Sequence, residues 1–68
     1  MRVPKNYTGK AYYLSIFEHW FIDGKNSFSG MYKGVFDKGV LINLTKNNGQ
    51  VNPKDEILAV EAADKINN

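Results

Sequence analysis

His19 is the only histidine in the 68 residues, and the chain has no cysteine. Acid–base catalysis needs a tuned histidine or carboxylate pair held in a pocket. The carboxylate next to His19, Glu18, would point to the opposite face of a strand. A zinc site needs three or four ligands drawn mainly from Cys and His, and no carboxylate cluster surrounds His19 to make up the number. Gly30, Gly34 and Gly39 recur at intervals of four and five with no helical pattern behind them, which is not the spacing of a phosphate-cradling loop. These residues imply a protein that is not an enzyme and takes no metal or cofactor.

The chemistry left to the chain is recognition of phosphates and bases. Lysines can pair with phosphates, and exposed aromatic rings can stack bases. Lys33, Lys38 and Lys46 fall on one expected hairpin, with Lys10 and Lys25 nearby, and Tyr12, Tyr13, Trp20 and Tyr32 are interleaved with them. Charge is distributed unevenly. Residues 1–50 carry seven Lys and Arg against three acids, a net of +4, whereas residues 51–68 carry two against four, a net of −2. A basic body with an acidic end suits a polyanion bound through the body. The structural counter-reading is that Phe28, Tyr32 and Phe36 are core and the lysines only solvate the surface.

The elements that must position these residues are mostly strands. Residues 1–11 read as an irregular arm, since Pro4 and Gly9 oppose a long element. Across residues 12–22 two periods compete. Tyr13, Ile16, Phe17, Trp20 and Phe21 fit a helical stripe, while Tyr12, Leu14, Ile16, Trp20 and Ile22 fit a strand whose alternation fails at Glu18. Aromatic and β-branched content favours the strand, and Asp23-Gly24 behind it reads as a hairpin loop. The next strand sets Phe28, Gly30, Tyr32, Gly34 and Phe36 on one face, the two glycines marking a bend or a close backbone approach. A three-residue loop, Asp37-Lys38-Gly39, would then pair Phe36 with Val40, Gly34 with Ile42 and Tyr32 with Leu44. Asn48-Gly49 signals a second hairpin.

Two readings stand for the tail. Asn52 as N-cap, Pro53 at the first helical position, acidic Asp55 and Glu56 in the first turn, and a stripe of Leu58, Ala59, Ala62 and Ile66 make a helix. Alternatively residues 52–55 form a tight turn and residues 57–61 a last strand. A single domain spanning residues 1–68 follows from the length, and so small a domain buries only about 60% of the surface its unfolded chain exposes. Without disulfides or metal, association with other copies or with a partner is the remaining source of extra stability.

An aromatic strand, an Asp-Gly turn, a glycine-bent strand, then "FDKG", "VLINL" and "KDEILAVEA" follow one another over residues 14–62. That succession resembles the Sm-like proteins, small bent five-stranded barrels that form rings and bind RNA, among them the bacterial host-factor chaperone. Gly24, Gly30, Asp37 and Asn43 are the residues that match its first motif, although the two glycines are one residue further apart than the motif sets and Asn43 lies too far beyond Asp37; the Arg-Gly or Lys-Gly of the second motif is missing, with Lys54-Asp55 in its place. The resemblance implies a mainly β fold, a strongly bent five-stranded barrel with a possible short C-terminal helix. The α+β alternative is an antiparallel β-meander with a C-terminal helix over residues 53–66. It also implies RNA or single-stranded nucleic acid as ligand, a homo-oligomeric ring, and Asp37, Lys38, Asn43, Lys33, Lys46, Lys54 and Tyr12 as candidate binding residues. A second class is a small phage or mobile-element protein that binds a host protein, by analogy with other small, cysteine-free, Asn- and Lys-rich chains. No run approaches a membrane span, and the expected location is the cytoplasm.

Overall fold

The computed structural model describes residues 3–22, 30–46 and 49–67. Strands β1 (Gly9–Leu14), β2 (His19–Ile22), β3 (Tyr32–Asp37) and β4 (Val40–Lys46) are followed by one helix, α1 (Pro53–Asn67). All strand pairs are antiparallel, and the sheet order is β2-β1-β3-β4. The fold is therefore mainly β with a C-terminal helix. Four strands are described where the barrel reading wants five, and the crossing from β2 to the far side of β1 departs from a simple meander.

The helical reading of the tail is the one adopted. Asn52 caps α1 through its side-chain oxygen, which accepts from the Lys54 N–H at 3.0 Å, and its carbonyl accepts from Glu56 N–H at 2.9 Å. Ala59 and Ala63 face the sheet fully buried, with Leu58 and Ala62 half-buried beside them. Two alanines bring the helix backbone close enough for the Trp20 indole N–H to donate to the Ala59 carbonyl at 3.3 Å.

Residues 12–22 do not form one strand. The pattern is cut by a turn over residues 15–18, closed by Phe17 N–H donating to the Leu14 carbonyl and Glu18 N–H to that of Ser15. Glu18 takes φ 48, the left-handed conformation, and this is where the alternation failed. Neither is the N-terminal arm wholly irregular: β1 begins at Gly9, and Val3 is buried in the core. The Asp23-Gly24 loop lies outside the described residues, as does Asn48, although Gly49 bridges Lys46 in antiparallel fashion.

The β3–β4 register also differs from expectation. The loop has two residues, Lys38 and Gly39, both at positive φ (52 and 83), the requirement of a type I′ turn. Asp37 pairs with Val40 and Phe36 with Leu41; then Val35 pairs with Asn43, leaving Ile42 as a bulge. Without the extra residue, the tighter turn would put Asn43 and Thr45 on the core face. The bulge returns Leu44 to that face, opposite Gly34. Val40 and Ile42, expected in the core, are exposed.

Lysine at a left-handed position costs about 1 kcal/mol relative to residues that visit it readily. Lys38→Asn is therefore expected to stabilise the chain by about that amount, read as a higher urea midpoint at unchanged slope. A midpoint that falls would show that the turn does not need a left-handed residue there.

Candidate nucleic-acid interface

Helix α1 covers one face of the sheet, with Ala11, Tyr13, Trp20, Ile22, Tyr32 and Phe36 beneath it. The residues between these in sequence point to the other face, open only in the sense that α1 does not cover it; Tyr12, Leu14, Phe21, Lys33 and Val35 are half-buried there, and Gly30 is buried against Tyr12 and Tyr13. Strand register sets them in rows. One row crosses all four strands: Phe21 lies opposite Tyr12, Tyr12 opposite Lys33, and Lys33 opposite Thr45. A second row runs Lys10, Val35, Asn43. His19 pairs with Leu14 at the turn end of the sheet.

Phe21 anchors an aromatic cluster on this face. Its ring centroid is 5.2 Å from His19 and 6.4 Å from Phe17, both edge-on. Phe17 sits in the β1–β2 turn and is 61% exposed, so the cluster extends the sheet surface past the end of the strands. Antiparallel sheets carry apolar side chains on a face that is partly covered. Here Tyr12, Leu14, Phe21 and Val35 occupy outward positions, with Lys10 and Lys33 between them.

The candidate residues divide between the two faces. Tyr12, Lys33 and Asn43 stand on the open face, and Asp37 joins them at the exposed end of β3. Lys38 occupies the hairpin tip, where its N–H donates to Thr8 Oγ1 at 3.2 Å. Lys46 lies on the helix side, its ammonium 6.0 Å from the Tyr32 ring centroid, and Lys54 is exposed in the first turn of α1. Of the glycines matched to the Sm-like motif, Gly24 is outside the described residues and Gly30 is buried against the β1 backbone, where a Cβ would come within 2.8 Å of the Tyr13 carbonyl oxygen. Phe21 was not named as a candidate, because its place on the open face follows only once the turn at residues 15–18 is located.

On the covered face, two tyrosines have raised pKa values. Burial is the main cause for Tyr13, with smaller contributions from Glu18, Asp55 and Glu61. Burial also leads for Tyr32, which donates to Asp55 Oδ2 at 2.7 Å and accepts from the Asn52 N–H at 3.3 Å, the latter opposing the shift. Neither faces the open surface, so they are parts of the frame. Among the described residues no three His, Cys, Asp or Glu side chains group to hold a metal ion, and no helix is long and apolar enough to cross a membrane.

No family model matches the chain, and neither a curated protein nor a solved structure matches it.

Proposed function

We propose that this is a non-enzymatic protein that binds RNA or other single-stranded nucleic acid on the open face of its sheet. The observation that carries the reading is the row Phe21, Tyr12, Lys33, Thr45 across the four strands. Two half-buried rings on neighbouring strands would supply aromatic surface on which bases stack without regard to sequence, and a lysine beside them would meet the phosphate. Lys10 and Asn43, one row further along, extend the track.

Fluorescence anisotropy with labelled oligo-U and oligo-A at low salt tests it. Stacking on an aromatic side chain contributes about 1–3 kcal/mol per base, so Tyr12→Ala and Phe21→Ala are each expected to weaken binding about 5- to 150-fold. Lys33→Ala should flatten the slope of log affinity against log salt by about 0.7. Lys46→Ala and Lys54→Ala, on the helix side, should leave affinity within about twofold if the open face alone binds. Absence of binding at low salt, or a loss at Lys54 equal to that at Tyr12, would sink the proposal. A second reading, a host protein gripped by the β1–β2 turn, is favoured by the exposure of Ile16 and Phe17. It predicts binding to that protein that Phe17→Ser abolishes and salt barely moves.

A further inference from the structure

We propose that the outer edge of β4 docks β4 of a second copy of the chain, laid antiparallel across a two-fold axis so that two four-stranded sheets become one of eight. This goes beyond the nucleic-acid reading and does not depend on it.

The two edges of the sheet are built differently. β2 has four residues, and a short edge strand is one of the ways in which proteins deter pairing with a neighbour. β4 has seven, with no proline and no charged residue before Lys46. Val40, Ile42, Asn43 and Thr45 are exposed, Val40 and Ile42 at 58% and 62%. Among the described residues only Gly49 bridges β4 from outside β3, and it does so at Lys46, the last residue of the strand.

The backbone supplies the ladder. A two-residue hairpin closes on a pair that exchanges both backbone bonds, here Asp37 and Val40, so the bonded pairs along β3 are those of Asp37, Val35 and Lys33. Leu41 and Leu44, opposite Phe36 and Gly34, therefore turn their N–H and C=O away from β3. An antiparallel register that sets Leu41 against Leu44 of the second copy lets donors meet acceptors in both directions, and the two-fold axis repeats the exchange at Leu44. Both leucine side chains pack on the α1 side of the sheet. The same register sets Val40 against Thr45 on the other side, so like faces stay together and no like charges are opposed.

The bulge at Ile42 decides the occupant. It leaves Leu41 and Leu44 three residues apart instead of two. A second copy brings the same extra residue to the same place, so the two irregularities face each other across the axis and both ladders stay in step. The edges left to the eight-stranded sheet are the two short β2 strands, which stops growth at the dimer. Added burial suits a domain whose own core is marginal.

Sedimentation velocity and amide hydrogen exchange on the full chain, over a dilution series, test this. Wild type is expected to move between monomer and dimer and to form nothing larger. The Leu41 and Leu44 amides should exchange at least about tenfold more slowly in the dimer than in the monomer, whereas those of Asn43 and Thr45, bonded to β3, should change little. Two variants test the register. Val40→Lys with Thr45→Lys places like charges across the contact, and Val40→Lys with Thr45→Glu places opposite ones. The first should dimerise at least about tenfold more weakly than the second, with circular dichroism confirming that each is folded. Should either variant fail to fold, the exchange measurement on wild type decides alone. A wild type that stays monomeric at every concentration, or that assembles beyond the dimer, would overturn the proposal. So would a dimer whose Leu41 and Leu44 amides exchange as fast as in the monomer, or folded variants that dimerise equally.

Discussion

Alanine at position 20 is expected to leave the chain without a cooperative fold at 25 °C. Trp20 is fully buried, with its ring 4.9 Å from Phe36 at 88° and 5.1 Å from Tyr13, and its N–H reaches the Ala59 carbonyl. Truncating a buried tryptophan costs about 3–5 kcal/mol. A single core in a domain this small rarely supplies more than about 3–5 kcal/mol, so one substitution removes most or all of it. The same contact can be probed from below, because the indole lies on Gly34. A Cβ at position 34 would sit 2.7 Å from Trp20 Cη2 and 2.9 Å from Leu41 Cδ1, and the fully buried indole is held by its neighbours. Gly34→Ala is therefore expected to cost about 1–3 kcal/mol through overpacking. With Trp20→Phe in the background the clash is relieved, and the two changes should couple by more than about 0.5 kcal/mol. Urea unfolding followed by far-ultraviolet circular dichroism measures all four chains. A Trp20→Ala protein that unfolds cooperatively within about 1 kcal/mol of wild type would show that the aromatic cluster is not the centre of the core.

The elements that sequence reasoning placed well are those whose determinants are local. Asn52, Pro53 and the acidic first turn mark the start of α1 by chemistry that acts within four residues, and the helix begins where they put it. The break in residues 12–22 had no such marker. The turn contains Ile16 and Phe17, apolar residues that continue both competing patterns, and lacks the Gly, Asn or Pro that usually announces a turn. Only the positive φ of Glu18 reveals it. The β4 register was hidden for a different reason. A bulge at Ile42 answers a tertiary need, keeping both Leu41 and Leu44 inward, and leaves no signature in the residue itself.

Legibility of the open face follows from those two elements. Tyr12 and Lys33 were nameable as candidates from type and Asn43 only from the Sm-like resemblance, and the antiparallel ladder places all three on one face. Phe21 joins Tyr12 only because the turn sends the chain back alongside β1. Lys46 and Lys54 looked equivalent to Lys33 by charge, yet their positions on the helix side separate them from it. Residue type thus suggested a chemistry, and the pairing register decided which residues can act together.

Two tyrosines on the covered face are expected to respond to loss of their hydroxyls with opposite signs. Tyr13 is fully buried, and its hydroxyl has no hydrogen-bond partner among the described residues. Burying an unpaired hydroxyl costs about 1–3 kcal/mol, so Tyr13→Phe should stabilise the fold by about 1 kcal/mol after allowance for relaxation. Tyr32→Phe removes a bond to the Asp55 carboxylate and leaves the Asn52 N–H without its acceptor. Bonds to charged groups contribute about 1.5–3 kcal/mol, and a loss of that size is expected, with the start of α1 loosened from β3. Both tyrosines also shape the alkaline limb of stability. Their folded pKa values lie above the ordinary 10.0, so the folded state keeps its phenolic protons where the unfolded chain has begun to release them. The stabilisation is complete below about pH 10 and is lost as pH rises towards the folded values, at about 1.4 kcal/mol per pH unit for each tyrosine. Each Phe variant should therefore show a shallower decline above pH 10 than wild type, whatever its stability at pH 8. Guanidinium unfolding at pH 8 and at several values above 10 measures both effects. A destabilised Tyr13→Phe would mean that its hydroxyl is bonded, and an unchanged alkaline slope in both variants would remove the tyrosines as its cause.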